Sequence, residues 1–509
     1  MTSPIIERIH QSIQKTPDKH ALIFLDKVLT YKELGDAVNT LSYSLQQKGI
    51  NRGDHIGVVL PNGIEFCLVM LAAANIGAAI VPHNTSLSAK SLHHAFKHAD
   101  VHHYIIWHSL IHDLQVETTQ HDINSLWISV GKDIEQTISF DVLLKCSHLD
   151  QIDNTPSYKD DDFILTMTSG STGAPKPIVL SQACKVKRAD AAIQLYSITS
   201  EDVILAATPL YHSLAERLVL APLISGGTAV IMPGFSAQQW LALIEQHKIS
   251  MTIAVSSQLK KIHDALSSSN YRLSSLRCLV SSSERLPQSL KLNLLAALNC
   301  DFHECYGASE VAIISNLDYS TTHSHRDSVG KTIPGTNVCI IDDTGKLLPP
   351  GKIGEIACKT PMLFSGYFKR EEQTQSAFIK DYFLTGDLGK LDEEGFLYFC
   401  GRKKEMIITG GINVYPKDIE ELLLHHPDIQ EVAVIPLPDD SLGEIVTAVI
   451  VSSGVIKQRE LQRLCAKELA DFQQPREYIF LDKLPKNALG KVMKPTLITK
   501  LSDSSEIAP

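Results

Sequence analysis

From Leu29 to about residue 300, short apolar runs alternate with segments of helical periodicity, and this alternation limits the fold more than any other feature. The first helix is sharply punctuated. Thr30 and Glu33 form a capping-box pair, Leu29 can staple onto Leu34, and Leu34, Val38, Leu41 and Leu45 repeat at helical spacing until Gly49. A strand (HIGVVL), an apolar helix and a second strand (AAIVP) follow, and VILAA, TAVIM, SMTIAV and RCLVS continue the series. Strands that are apolar at every position have both faces covered, which predicts an α/β protein with largely buried parallel strands. After residue 325 the texture changes to short alternating strands and turns (NVCIIDDTG, GEIACKT, FLYFCGR), which predicts a β-rich subdomain. From about residue 405 a compact mixed unit follows. Pro416 suits the first turn of a helix, then come strands VAVIPL and VTAVIV and the helix QRELQRLCAKELADF. The expected class is α/β. A large N-terminal domain, residues 1–401, holds packed α/β subdomains and the β-rich subdomain, and a small α+β C-terminal domain spans 402–509.

The bulk numbers exclude several functions. A chain of 509 residues is too long for one core. The formal net charge of -10, without a Lys/Arg block, argues against nucleic-acid binding, which depends on counterion release to basic side chains. The first residues lack a basic segment followed by an apolar one, so no signal peptide is expected and a cytoplasmic location is anticipated. The apolar stretch Phe66 to Pro82 is short and carries Asn75 and Gly77, which suits a buried helix running into a strand and not a membrane span. The ten cysteines form no C-x-x-C pair and read as reduced core residues. His93, His94, His98, His102 and His103 cluster without an interleaved carboxylate and read as a solvated helix face.

The most informative segment is Thr168-Ser169-Gly170-Ser171-Thr172-Gly173-Ala174-Pro175-Lys176, set between the apolar runs FILTMT and PIVLS. Two glycines let backbone N–H groups approach a ligand, and four hydroxyls and an ammonium complete an anion cradle. Lys176 is followed by Pro177 and not by Ser or Thr, so this is not a Walker loop. The segment resembles the phosphate loop of the adenylate-forming superfamily, the acyl- and aryl-CoA ligases, carrier-loading adenylation domains and beetle luciferase. Further matches occur in order along nearly the whole chain: Pro209-Leu210-Tyr211-His212, Tyr306-Gly307-Ala308-Ser309-Glu310, Thr385-Gly386-Asp387, the run from Gly401-Arg402 to Gly410-Gly411, and Pro485-Lys486-Asn487-Ala488-Leu489-Gly490-Lys491.

The resemblance implies activation of a carboxylic acid by ATP to an acyl-adenylate, then transfer to a thiol, coenzyme A or the phosphopantetheine of an acyl carrier protein. A carboxylate must meet the α-phosphate, and like unit charges ~4 Å apart cost about 4 kcal/mol at an effective dielectric near 20. Cations, Mg²⁺ and fixed dipoles must offset that repulsion. By resemblance, Lys176 and the loop from Thr168 hold the phosphates, and Glu310 with Thr172 holds Mg²⁺. Asp387 and Arg402 take the ribose. Tyr306 stacks on adenine, in a nucleotide pocket completed by Ser283, Glu284, Cys305, Gly307 and Ser309. Lys491 is the mobile catalytic cation. Lys404 marks the hinge on which the small domain turns, and Gly410-Gly411 leaves room for a pantetheine arm.

The acid pocket resembles that of acyl- and aryl-CoA ligases: Tyr211 and His212, with His212 as its gate, together with Cys305 and Ala308. Medium-sized aliphatic or aromatic acids are expected. Arg217 reads as a helix-surface residue, with pairing to a second carboxylate of a diacid as the alternative. The chain departs from the pattern at Pro177, at Ser282 and Ser283 where relatives carry glycines, and at Ile408 where many carry Lys. Two other classes remain: a stand-alone carrier-loading enzyme, and a non-catalytic nucleotide binder, against which the joint presence of Lys176, Glu310, Asp387 and Lys491 argues. The enzyme is expected as a monomer or homodimer.

Overall fold

The computed structural model describes residues 3–118, 125–145, 160–168, 176–266, 271–283, 286–322, 324–486 and 491–502. Its contacts divide the chain into two compact units. One comprises Met1–Arg326, Ile333–Thr336 and Lys359–Phe378, and the other Asp327–Thr332, Asn337–Cys358 and Ile379–Pro509.

The first unit is built as its apolar runs require. In one sheet the strands Ala79–Pro82, His55–Val59, His103–Trp107, Leu126–Val130 and Ile138–Ser139 lie parallel in that order. Asp162–Thr168 joins beside Ala79–Pro82, and Lys176–Ser181 pairs antiparallel with it. In a second sheet Asp301–Ala308, Cys278–Ser282, Met251–Val255, Val203–Ala206, Thr228–Ile231 and His20–Phe24 run parallel, edged by the antiparallel strands Ala312–Asp318 and Lys27–Thr30. His55–Val59 and Met251–Val255 are buried at every residue, the mark of strands covered on both faces. The helix Tyr31–Gln47 starts at a complete Thr30/Glu33 capping box, and its Tyr31 hydroxyl donates to the Gly227 carbonyl at 2.7 Å. Helix Ile64–Ile76 buries 11 of its 13 residues, and each large apolar side chain so covered contributes roughly 1.5–3 kcal/mol. No described helix is long and apolar enough to cross a membrane. The described cysteines are free thiols, and His94 and His98 sit exposed on helix Ala89–His98.

The second unit holds two small sheets. In one, Asn337–Ile341, Gly354–Lys359, Tyr382–Leu391 and Leu397–Arg402 adjoin in turn. In the other, the second strand of the long hairpin Ile429–Asp439/Gly443–Ser452 carries, on the edge away from its first strand, Ile407–Thr409 near its start and Glu477–Phe480 further along. Helix Pro416–Leu423 begins at its proline, and Gln458–Glu468 follows with Leu461 and Cys465 turned into the core. This division does not follow the expected boundary at 401/402. Residues 379–401 group with the C-terminal segment, and Lys417 of helix Pro416–Leu423 both donates to the Phe399 carbonyl and lies 4.5 Å from the centre of its ring.

Candidate functional site

The loop from Thr168 to Lys176 is a hairpin connection. Thr168 and Lys176 are register partners at the ends of two strands whose central residues are buried, so the loop springs from a rigid base. Ser169, Gly170, Ser171, Thr172 and Gly173 lie outside the described residues, as does Glu284. Lys176 is described, and its ammonium lies 5.2 Å from the centre of the Tyr367 ring. The Tyr367 hydroxyl donates to Glu310 Oε1 at 3.0 Å. The expected phosphate cation and the expected metal carboxylate therefore meet at one tyrosine. Tyr367 stands on the two-residue strand Gly366–Tyr367, which adds to the edge of Lys176–Ser181. Burial, and then the Glu310 carboxylate, push its hydroxyl well above the ordinary tyrosine range, so it stays a donor.

The backbone of Ser309 and Glu310 is clamped. The buried Arg188 guanidinium donates to the Ser309 carbonyl at 3.0 Å and the Glu310 carbonyl at 2.9 Å, and Phe364 N–H reaches Glu310 O at 2.7 Å. Just before it, strand Asp301–Ala308 bulges between Tyr306 and Gly307 against Ala312–Asp318. A Cβ on Gly307 would stand 1.7 Å from the Ala312 carbonyl oxygen, so only glycine permits this approach. Ser283 has φ of 79°, a left-handed conformation costly for serine.

Tyr211 and His212 sit at the start of helix Ser213–Ser225, their rings 4.4 Å apart. Asn62 fixes the turn before them: its Oδ1 accepts from Leu210 N–H at 2.8 Å, and its amide donates to the Met232 carbonyl at 2.9 Å. Burial pulls His212 down to about 4, and its Nε2 is buried without a partner among the described residues. A neutral imidazole facing no partner suits a pocket wall. On strand Asp301–Ala308, burial raises the Cys305 thiol, with Ser282 and Tyr196 hydroxyls beside it. Arg217 is not on the surface. It is only 8% exposed, because helix Ser213–Ser225 is covered on all sides from Ala215 to Ile224. Sequence periodicity gives such a helix no polar face, and the expectation of a solvated arginine is corrected accordingly.

In the second unit, Asp387 and Arg402 are direct register partners, and Arg402 Nε lies 3.8 Å from Asp387 Oδ1. The Thr385-Gly386-Asp387 turn is held from beneath: Thr385 Oγ1 donates to the Ile356 carbonyl at 2.8 Å and Gly386 N–H to Glu355 Oε1 at 3.2 Å. Glu355 Oε2 also accepts from Lys403 at 2.9 Å, and the hydrogen bonds to Asp343 and Glu355 raise the Lys403 ammonium above its ordinary range. Lys404 is exposed on the single turn Lys403–Glu405. Gly410 and Gly411, at φ of 56° and 79°, form the two-residue connection between Ile407–Thr409 and Ile412–Val414. A tight hairpin of positive φ at both positions accounts for both glycines. Ile408 is exposed beside them. Gly490 lies outside the described residues; Lys491 follows it, and Lys494 one turn on is tied to Glu420 at 2.7 Å.

A family model described as AMP-binding enzyme matches residues 9–368, and one described as AMP-binding enzyme C-terminal domain matches residues 418–491. The chain belongs to the AMP-binding enzyme family. Curated relatives of this AMP-binding enzyme include the indoleacetate–CoA ligase of Aromatoleum aromaticum, 31% identical over 94% of both chains. Another is the long-chain-fatty-acid–CoA ligase FadD13 of Mycobacterium tuberculosis, 28% identical over 93% of both. Among solved structures, the o-succinylbenzoate coenzyme A synthetase of Bacillus subtilis in complex with ATP and magnesium is 28% identical, covers 96% of this chain and 98% of that one, and superposes with a TM-score of 0.86. Tyr367, Arg188, Asn62 and Glu355 are the supporting residues that sequence reasoning missed. Only Gly366-Tyr367 carried a local signal, a glycine at φ of 138° before an aromatic residue on a buried edge.

Proposed function

We propose that this AMP-binding enzyme is an acid–thiol ligase that converts a carboxylic acid and ATP into an acyl-adenylate and pyrophosphate, then passes the acyl group to coenzyme A. The observation that carries the reading is the convergence of Lys176 and Glu310 on Tyr367. A cation and a carboxylate gathered at the base of a glycine- and hydroxyl-rich loop are the two charges that handling of a metal-bound triphosphate needs. The carboxylate is a hard oxygen donor of the kind Mg²⁺ takes, and Thr172 would complete the protein's share. Bound there, Mg²⁺ supplies charge neutralisation at the phosphates. Asp387, opposed to Arg402, presents a carboxylate for the ribose hydroxyls, and Lys491 would bring its ammonium to the reacting carboxylate. Residues 402–509, turning at Lys404, are the segment proposed to serve the two half-reactions in succession.

Acid-dependent exchange of pyrophosphate into ATP tests the first half, and acyl-thioester formation with free coenzyme A the second. Exchange without any acid-dependent thioester on coenzyme A, yet with acylation of a purified carrier protein, would assign the alternative acceptor. No exchange across a broad acid panel would sink the reading.

A further inference from the structure

Helices Gln182–Leu195 and Ser213–Ser225 pack together and bury four charged side chains, the cations Lys185, Arg188 and Arg217 and one acid, Glu216. Their exposures are 2%, 2%, 8% and 0%. Lys185 is paired with Glu216 and also donates to Ser213 Oγ at 3.3 Å. Arg188 is saturated by the carbonyls of Ser309, Glu310 and Met362. Arg217 has neither an ion pair nor a hydrogen bond among the described residues, and its Nε is fully covered. Two positive charges in this cluster thus lack an acidic counterpart, and one guanidinium is unmet. A buried guanidinium cannot shed its proton as a lysine can, so it calls for an anion.

The direction in which that anion must lie is given by what surrounds Arg217. Burial pushes the Cys305 thiol up, and the Arg217 charge acts on it in the opposite sense; the same holds for the Tyr196 hydroxyl. Arg217, on the helix that follows His212, therefore has its charge within reach of Cys305, on the strand that also carries Tyr306 and Gly307, as well as of Lys185 and Arg188. Among the described residues no free acid faces it there: Glu304, one residue before Cys305, is tied to Lys291 at 2.6 Å and to the Tyr319 hydroxyl at 2.9 Å. Arg277, the other nearby cation, is closed by Asp202.

We propose that Arg217 receives the distal carboxylate of a dicarboxylic acid, so that the substrate class is a diacid ligated at one end. This rests on the ligase reading above and names its substrate class. His212, held neutral by burial, would line the same space without adding charge. The proposal takes up the diacid alternative and narrows the medium-sized aliphatic or aromatic acids expected from sequence.

The test compares succinate, glutarate and adipate, each with its monomethyl half-ester, which keeps the reacting carboxylate and removes the distal charge. Pyrophosphate release gives kcat/KM, and calorimetric titration of the nucleotide-loaded protein gives affinity without need of turnover. With the wild type, the best diacid should exceed its half-ester by on the order of 100-fold in both readouts, as expected for a buried charge pair. In Arg217→Met that ratio should collapse toward one, and in Arg217→Lys part of it should return. Wild type that binds and uses half-esters as well as diacids overturns the proposal, as does a ratio that survives in Arg217→Met. A titration in which chloride or phosphate alone is taken up, with no advantage for the diacid, also overturns it. Strong diacid binding with no pyrophosphate release would uphold the anion site and count against the ligase reading instead, so the two failures are distinct.

Discussion

Replacing Tyr367 by Phe removes one oxygen from the place where the triphosphate charges are proposed to be managed. The ring that lies 5.2 Å from the Lys176 ammonium remains, as does its edge-on contact with Phe364 at 4.9 Å between centres. What is lost is the 3.0 Å hydrogen bond to Glu310 Oε1. Hydrogen bonds to charged groups are worth about 1.5–3 kcal/mol. Tyr367 and Glu310 are both only partly buried, so water can replace the donor and the lower end applies. A loss of about 1.5 kcal/mol corresponds to roughly tenfold. The expected result is a kcat/KM for Mg·ATP about ten times lower, measured as acid-dependent pyrophosphate release over a Mg²⁺ series. The fall should be steepest at low Mg²⁺, because the freed carboxylate is no longer held in one orientation. Glu310→Gln should lose far more. The reasoning fails if Tyr367→Phe stays within twofold of wild type throughout, and it is reversed if the variant needs less Mg²⁺. The latter would mean that the hydroxyl competes with the metal for Glu310.

Lys491→Ala should lower acid-dependent exchange about 10²–10³-fold while ATP binding by equilibrium titration persists, since a transition-state contact is removed and a ground-state one is not. Gly307→Ala places a methyl group 1.7 Å from the Ala312 carbonyl and must force the two strands apart. A destabilisation of about 1–3 kcal/mol in urea unfolding is expected, with loss of exchange activity. His212 is held at about 4, against 6.5 when unperturbed, so between those values the unfolded chain takes a proton that the folded chain refuses. Its contribution, roughly 3 kcal/mol at most, is therefore present above pH 6.5 and lost as pH falls toward 4. His212→Asn should flatten the stability profile there, and an unchanged acid limb would contradict the assignment.

Much of the fold was legible because local rules and burial agreed. The Thr30/Glu33 box needed only four adjacent residues, and the all-apolar strand His55–Val59 announced that both its faces were covered. Thr168 and Lys176 as the rim of a loop between apolar strands, and Asp387 near Arg402, could be placed because each lies on or beside a short, regular run. Tyr367 could not. It reaches Glu310 across 57 residues of sequence, and only the edge pairing of Gly366–Tyr367 with Lys176–Ser181 brings it there. Long-range strand addition leaves no periodic trace in either segment.

Arg217 failed for a different reason, and the failure is instructive. The segment SLAERLVLAPLIS offers no polar stripe: its two charges are adjacent, and adjacent residues point about 100° apart on a helix. No single solvated face could hold both without also exposing leucines. The sequence alone therefore implies that at least one of the two charges is buried. Which charge is neutralised is settled elsewhere, by Lys185 on the neighbouring helix, 31 residues away. Pairing Lys185 with Glu216 closes one interaction inside the protein and leaves Arg217 as a buried cation with no anion to answer it among the described residues. If the cluster served stability alone, that arrangement would be costly, since an apolar residue of similar size at 217 would pack there without the desolvation penalty. Arg217→Met should then raise the unfolding midpoint of the substrate-free protein while weakening diacid binding. Opposed effects of one substitution on stability and binding are the signature of a charge kept for a ligand.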